Sequence, residues 1–256
     1  MLEFLEAMPP RSFFTGAGTV LSLVTAFLLI FIEYRFTRRA LVMAVLMGVI
    51  SSTSGIGGML ARKLMYGGWT APGAFFSSIF EYEGTHYAGA VLYIMWLTPL
   101  LWRLVMRRDS GSFCKEGLCR FMGIMSVYTI IQGFVGRIGC LPAGCCHGRP
   151  YHGAFAVQCV GVEGLVMPAL QTELILLLIT LVMVVFFYIK KRNTAPVLCI
   201  GYGISVFVSE FMFERIGTVT VLGLTIIQII AAALFITGLV FIYRSEFLVK
   251  TTNLNL

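Results

Sequence analysis

Long apolar stretches, separated by short basic segments, run through almost the whole chain. A helix needs roughly 20 mostly apolar residues to cross the hydrocarbon core of a bilayer. Only helices and closed barrels satisfy every backbone polar group in that core, and these stretches are too long for barrel strands. The pattern therefore predicts an all-α, polytopic membrane protein with seven transmembrane helices, at residues 18–32, 40–59, 88–105, 121–136, 174–189, 197–213 and 222–243.

The composition agrees with this pattern. Of the 256 residues, 58% are hydrophobic and 12% are charged, whereas about a quarter of the residues in a soluble domain are charged. Glu3 and Glu6 stand where a signal peptide would carry basic residues, so we expect the first apolar stretch to remain as a span. We find no internal repeat, and we predict a single transmembrane domain over residues 1–256.

The positions of the basic residues predict the orientation. If the N-terminus is outside and the C-terminus is cytoplasmic, thirteen of the nineteen Lys and Arg residues fall on the cytoplasmic side. The net charge of +7 then reflects topology, and no nucleic-acid binding is expected. A basic residue on the outer side runs against this trend and is a first candidate for function. The six exceptions are Arg11, Arg62, Lys63, Arg137, Arg149 and Arg215.

Residues 137–172 are predicted to form a small external insertion between the fourth and fifth helices, with short strands at 156–162 and 165–167. Four cysteines, Cys140, Cys145, Cys146 and Cys159, would face the oxidising side of the membrane. Disulfides among these four are therefore one interpretation, although the spacing does not give their connectivity.

The densest group of polar and special residues lies at 136–150, and four interpretations apply to it. A metal site would use Cys140, Cys145, Cys146, His147 and His152. Adjacent cysteines without paired CxxC spacing match structural zinc poorly, so no metal is expected. Disulfide stapling and a catalytic thiol are two further interpretations.

The fourth interpretation, which we favour, is an anion site built from backbone and charge. Glycines allow backbone amide groups to approach an anion closely. Arginines then supply positive charge. This interpretation uses most of the residues in the segment: Gly136, Gly139, Gly144, Gly148, Arg137 and Arg149.

Further polar residues lie near the predicted outer ends of the helices. Arg62 and Lys63 end the second span, where they either snorkel to the interface or bind an anion. His86 precedes the third span, as a capping residue or as a general acid or base.

Two carboxylates lie four residues apart on the predicted sixth span, Glu210 and Glu214. In one interpretation, Glu214 and the neighbouring Arg215 are simply solvated at the helix end. Glu210 is deeper, and because a buried carboxylate needs a partner, we expect it to pair with Arg137 or Arg62.

These residues carry a resemblance to a known family. The signature Gly136-Arg137-Ile138-Gly139, followed by Gly144 and by Gly148-Arg149-Pro150, resembles that of the prolipoprotein diacylglyceryl transferases. The segments 62–66, 86–89 and 223–228 resemble further parts of the family in the same order. Seven spans with an external N-terminus also match. The chain is identified as a variant member with a cysteine-rich signature loop.

The resemblance implies transfer of a diacylglyceryl group from phosphatidylglycerol to the lipobox cysteine thiol of prolipoproteins. The reaction would occur at the outer face of the bacterial cytoplasmic (inner) membrane, without a cofactor. The implied partners are the phospholipid and the prolipoprotein signal peptide.

The family's functional residues imply roles for residues of this chain. Arg137 would contact the phosphate, His86 would act as base, and Glu210 would be the acidic residue of the sixth span. The expected catalytic residues are His86, Arg137 and Glu210. The expected substrate-binding residues are Arg62, Gly136, Gly139, Gly144, Gly148, Arg149 and Arg215.

The chain departs from the family pattern at several positions. Cys140 and Cys145 stand where the signature usually has asparagine and often has glutamate, and a bond between them is one interpretation. Val206 replaces an arginine four residues before Glu210, a charge that Arg215 could replace. Tyr87 and Ala88 occupy the two glycine positions after the histidine. These departures motivate two alternatives: a phospholipid-dependent enzyme with another acceptor, and a non-catalytic lipid-binding protein.

Overall fold

The computed structural model describes residues 5, 7–35, 37–66, 86–106, 112–215 and 217–253. Within these ranges the chain is almost entirely helical. The seven long helices in the described ranges are α1 (Arg11–Tyr34), α2 (Arg38–Met65), α3 (Tyr87–Val105), α4 (Ser112–Ile138), α5 (Ala169–Ile189), α6 (Ala195–Glu210) and α7 (Ile226–Asn253).

Six helices in the described ranges are long and apolar enough to cross a membrane. The exception is α6, which has 16 residues and ends at Glu210, three residues before the predicted end of the sixth span. The helix stops there because the following residues pair with the insertion, through a β-bridge between Phe213 and Gly148. The structure thus supports a multi-pass helical protein with six candidate spans and one shorter apolar helix, while the predicted orientation stays a prediction.

The helices form one apolar core with an apolar outer surface. Helix α1 packs against α4, α2 against α3, and α6 lies between α5 and α7. Large side chains such as Trp102, Tyr128 and Tyr202 are fully or almost fully buried, and the rings of Trp102 and Phe121 stack at 5.7 Å. Many leucine, isoleucine and valine side chains remain exposed on the outside of α1, α5 and α7. Such a surface fits lipid chains, which are as apolar as the side chains themselves.

The contact between α2 and α3 depends on glycine. A Cβ atom on Gly89 would meet the backbone of Gly57 and the side chain of Ala61, so another residue there would push the helices apart. The close approach lets the backbone N–H of His86 donate to the carbonyl oxygen of Gly58, at 3.0 Å. Small residues between the helices therefore place His86 at the start of α3.

The insertion contains little regular structure. A four-residue helix, Cys140–Ala143, follows α4, and strands β1 (Val157–Gln158) and β2 (Leu165–Val166) pair antiparallel, with Val157 opposite Val166. The two predicted strands are confirmed in position, but each is only two residues long. A second hairpin, β3 (Thr220–Val221) and β4 (Leu224–Thr225), precedes α7 and was not predicted. Its turn uses left-handed backbone at Leu222 and Gly223.

Candidate active site

A cavity of about 350 Å³ opens at the end of the bundle that carries the insertion. Four arginines, Arg11, Arg62, Arg137 and Arg215, line it together with His86. No carboxylate lines the cavity within the described part of the chain. All four arginines belong to the six basic residues that run against the predicted charge bias. The cavity is thus suited to an anion.

Arg137 lies in the last turn of α4 and connects three features of the site. Its Nη2 atom is 2.9 Å from Oε1 of Glu173, a fully buried residue near the start of α5. Its Nη1 atom donates to the sulfur of Cys146 at 3.4 Å. Its Nε atom is buried and has no hydrogen-bond partner among the described residues. A buried donor without a partner costs free energy, so Nε is available to a ligand in the cavity.

Glu210 and Arg215 form the second buried ion pair. Nε and Nη2 of Arg215 donate to the two carboxylate oxygens of Glu210, each at 3.0 Å. Oε1 also accepts from the hydroxyl of Thr225 at 3.2 Å. The Arg215 guanidinium lies 4.6 Å from the centre of the Phe213 ring. The expectation that Glu210 pairs with Arg137 or Arg62 is therefore wrong.

The physical reason is the turn after α6. Because the helix ends at Glu210, the chain folds back and brings Arg215 against the carboxylate five residues earlier. Val206 is buried in the apolar core and supplies no charge. The positive charge beside Glu210 thus comes from the C-terminal side of the helix, as the sequence suggested for Arg215. Glu210 itself does not line the cavity and instead holds Arg215 at its wall.

His86 lines the cavity, and its imidazole ring is buried. Both ring nitrogens are buried, and neither has a hydrogen-bond partner among the described residues. Burial, together with the positive charges of Arg137 and Arg215, lowers the pKa of His86 well below its usual value. The ring is therefore neutral at pH 7 and can accept a proton. Arg62 lines the same cavity, and its guanidinium lies 5.5 Å from the Tyr66 ring centre. The Nε atom of Arg62 is buried and has no hydrogen-bond partner within the described ranges.

The predicted glycines divide into two groups. Gly136 lines the cavity, and a Cβ atom there would meet open space. Gly139, Gly144 and Gly148 do not line it. A side chain on Gly139 would press on Phe14, whereas Gly144, with φ +60°, packs on the backbone of Val160. These three glycines allow close packing of the loop.

Gly148 and Arg149 belong to the contact between the insertion and the segment after α6. A side chain on Gly148 would meet the backbone of Met167. Arg149 donates from its backbone N–H to Met212 at 2.8 Å and from Nε to the Phe213 carbonyl at 3.2 Å. Arg149 does not line the cavity. The structure thus brings Arg62, His86, Gly136, Arg137 and Arg215 together, and it places the other predicted residues in the support around them.

The cysteines of the loop are free thiols. The sulfurs of Cys140, Cys145 and Cys146 all lie within 4.8 Å of one another, and Cys159 is also free. The disulfides suggested for these cysteines are therefore absent. Nη1 of Arg11 donates to the sulfur of Cys145 at 3.5 Å. Hydrogen bonds from the thiols of Cys140 and Cys145, together with Arg137, lower the pKa of Cys146.

Several residues of the site were not predicted. Glu173 is the partner of Arg137, but the predicted fifth span began at residue 174, which placed this carboxylate outside the membrane boundary. The helix starts at Ala169, so Glu173 is buried in its first turns. Gln132 and Tyr87 also line the cavity, with the Tyr87 hydroxyl 2.9 Å from the carbonyl oxygen of Thr129. A charged residue at the edge of a long apolar stretch was the available signal for Glu173.

Comparison with known proteins gives one clear relationship. Among curated proteins, no significant match to the chain is found. The family model for prolipoprotein diacylglyceryl transferase matches residues 13–244, which is most of the chain. This protein therefore belongs to the prolipoprotein diacylglyceryl transferase family.

Proposed function

We propose that this protein transfers the diacylglyceryl group of phosphatidylglycerol to the lipobox cysteine of prolipoproteins, at the outer face of the bacterial cytoplasmic membrane. The observation that carries the proposal is one cavity with four arginines, no carboxylate among its described lining residues, and a histidine whose buried ring nitrogens have no hydrogen-bond partner in the described part of the chain. Anion binding and proton acceptance are the two tasks that this transfer requires of the enzyme.

The charge of the cavity supports phosphatidylglycerol as the lipid donor. A guanidinium binds a phosphate group through two parallel hydrogen bonds, and these are strong where water is limited. Arg62 and Arg137 each have a buried Nε without a hydrogen-bond partner in the part of the chain that the structure describes. Arg215 is held in place by Glu210, so its remaining nitrogen stays at the cavity wall. These three side chains would hold the phosphate of the lipid headgroup.

The reaction follows from this arrangement. The acceptor sulfur attacks the glyceryl carbon that carries the phosphate ester, an S–C bond forms, and the C–O bond breaks. Glycerol phosphate leaves as the anion. Negative charge grows on the phosphate oxygen as the C–O bond breaks, and arginines placed before the reaction stabilise that charge. His86 accepts the proton of the acceptor thiol, a role that requires the neutral ring.

The distribution of basic residues supports a site at the outer face of the membrane. Four of the six that run against the positive-inside bias meet in one cavity. A cavity formed by these residues is expected on the side opposite to the basic segments at 35–39 and 190–192.

The test is transfer by the purified full-length protein in detergent. Phosphatidylglycerol labelled in its acyl chains and a lipobox peptide are mixed with the protein, and the thioether-linked peptide is measured by mass spectrometry. We expect product with the wild type and with Arg244→Ala, an exposed residue far along α7 from the cavity. With Arg137→Ala we expect the rate of product formation to fall by about 10²- to 10³-fold. Consumption of lipid without peptide product would instead support another acceptor. Co-purified phosphatidylglycerol without turnover would support a lipid-binding protein.

A further inference from the structure

We propose that Cys140, Cys145 and Cys146 form a site for a thiophilic divalent metal ion of the zinc type, in which the acceptor's cysteine thiolate takes the fourth ligand position. The metal site stands on the geometry of the three thiols. The role of the acceptor thiolate rests on the proposed function. All three cysteines line the cavity that holds His86 and the arginines.

The sulfur positions fit metal coordination. The Zn–S distance is about 2.3 Å, so two sulfurs on one tetrahedral ion lie about 3.8 Å apart. The sulfurs of Cys145 and Cys146 are 3.9 Å apart, and no pair in the cluster exceeds 4.8 Å. An ion could therefore bind with displacements of an ångström or less.

The loop already has the conformation that brings the three thiols together. Cys140 is buried at the start of the four-residue helix. Gly144 has left-handed backbone at the end of that helix and turns the chain, so Cys145 and Cys146 return to Cys140. The β-bridge between Gly148 and Phe213 holds the next part of the loop. Residues adjacent in sequence can thus act as ligands, although their spacing differs from that of paired CxxC sites.

The surrounding charges favour bound thiolates. Three thiolates and a divalent ion carry a net charge of −1. Arg137 and Arg11 donate to the sulfurs of Cys146 and Cys145 at 3.4 and 3.5 Å, and they can offset that charge. Hydrogen bonds of this kind orient metal ligands. His147, which the metal interpretation of the sequence would also have used, is instead paired with Glu214 at 3.3 Å.

A site with three protein ligands leaves one position for the substrate. Catalytic zinc sites keep such an open position. A thiol that coordinates the ion loses its proton, and in this cavity His86 is placed to accept it. The bound sulfur would then form the S–C bond while the C–O bond to phosphate breaks. The cysteines at family asparagine and glutamate positions would in this way activate the acceptor.

The first experiment measures metal binding alone. The full-length protein is purified with a reductant, treated with a chelator and titrated with Cd²⁺, and the ultraviolet absorption of cadmium–thiolate bonds is followed. We expect one equivalent to bind, and Zn²⁺ to displace it. Cys145→Ser and Cys146→Ser should each weaken binding at least about tenfold. Cys159→Ser, in the same insertion, and Cys199→Ser, in the core, are the matched controls and should bind as the wild type does.

Several results would overturn the metal site. Absence of saturable binding, or binding that survives the combined replacement of the three cysteines, would exclude it. A Cys145–Cys146 disulfide in protein purified without reductant, found by peptide mass spectrometry together with no metal uptake after reduction, would assign the cluster to redox chemistry instead. Because Cys145 is exposed, its serine variant tests the site even if replacing the buried Cys140 impairs folding.

The second experiment separates this inference from the proposed function. A lipobox peptide is added to the Cd²⁺-loaded protein, and cadmium–thiolate absorption is expected to rise by about one third, from three sulfurs to four. The same peptide with serine in place of cysteine should give no change. An unchanged signal with the cysteine peptide would exclude the fourth-ligand role. Metal and peptide binding without product would contradict the proposed function alone, whereas full transfer by chelator-treated protein would contradict metal activation alone.

Discussion

The two ends of helix α4 both carry an arginine paired with a glutamate, and the two pairs differ in their surroundings. Near the start of α4, Nη1 of Arg120 lies 3.2 Å from Glu33 on α1, and the two side chains are 52% and 24% exposed. At the other end, the side chains of Arg137 and Glu173 are 13% and 0% exposed. Similar residues in different surroundings therefore form a solvated surface pair at one end and a buried element of the site at the other.

The energetic difference follows from burial. An exposed ion pair contributes about 0–1 kcal/mol, because water already solvates both charges. Removing one partner of a buried pair costs about 3–5 kcal/mol, because the remaining charge stays in a medium of low dielectric constant. At the cavity end, buried carboxylates therefore hold Arg137 and Arg215 in place, while a further nitrogen of each remains available to a phosphate.

The largest difference is expected from replacing the two arginines. Arg137→Ala should lower kcat/KM for lipid transfer by about 10²- to 10³-fold, the effect typical of losing one donor to a developing oxyanion. Arg120→Ala should change it less than about twofold. The measurement is thioether product formed per minute at several lipid concentrations. Equal losses in the two variants would contradict the contrast between the ends of α4.

A comparable loss is expected at His86. His86→Ala should reduce kcat by about 10²- to 10³-fold, within the range typical of removing a general base. The wild-type rate should also have a particular pH dependence. The active form of the ring is neutral and burial lowers its pKa, so the rate should hold through pH 6.5, where an ordinary histidine is half protonated, and should fall only at lower pH. A half-maximal rate at or above pH 6.5 would contradict this role.

Replacing the glutamate of each pair should change the stability of the protein by different amounts. Glu173→Gln should destabilise the protein by about 3–5 kcal/mol, because the buried Arg137 would lose its charged partner. Glu33→Gln should cost at most about 1 kcal/mol. Thermal unfolding of both variants in the same detergent measures the difference. A similar small shift for both would mean that water reaches Arg137.

The smallest effect is expected from a conservative change at Arg215. Arg215→Lys keeps the charge and loses the two-point contact with Glu210, because an ammonium cannot form parallel hydrogen bonds. We expect KM for phosphatidylglycerol to rise about tenfold, the size of one lost charged hydrogen bond, with kcat little changed. Arg192→Lys, at the opposite end of the bundle, is the control. A fall in kcat with KM unchanged would mean that Arg215 acts on the transition state.

Much of the fold and part of the site could be predicted from the pattern of residues. The lengths of the apolar stretches predicted the helices, since backbone groups in a bilayer have few other ways to be satisfied. Arg62, His86, Arg137 and Arg215 stood out because charge and polarity are costly at those places. The ends of the helices were predicted less well than their order along the chain. Helix α6 ends earlier than predicted, because hydropathy does not report the bridge between Phe213 and Gly148.

The sequence by itself determined the class of the molecule, the family resemblance and the basic residues that gather in the cavity. Only the tertiary structure decided which charges pair, since the fold-back after α6 joins Arg215 to Glu210 and packing of α5 on α4 joins Glu173 to Arg137. It also decided that three loop cysteines meet as free thiols. Hydrophobicity is a property of single residues and their period along the chain. Ion pairs and thiol clusters instead depend on distances of a few ångströms between segments, which packing alone determines.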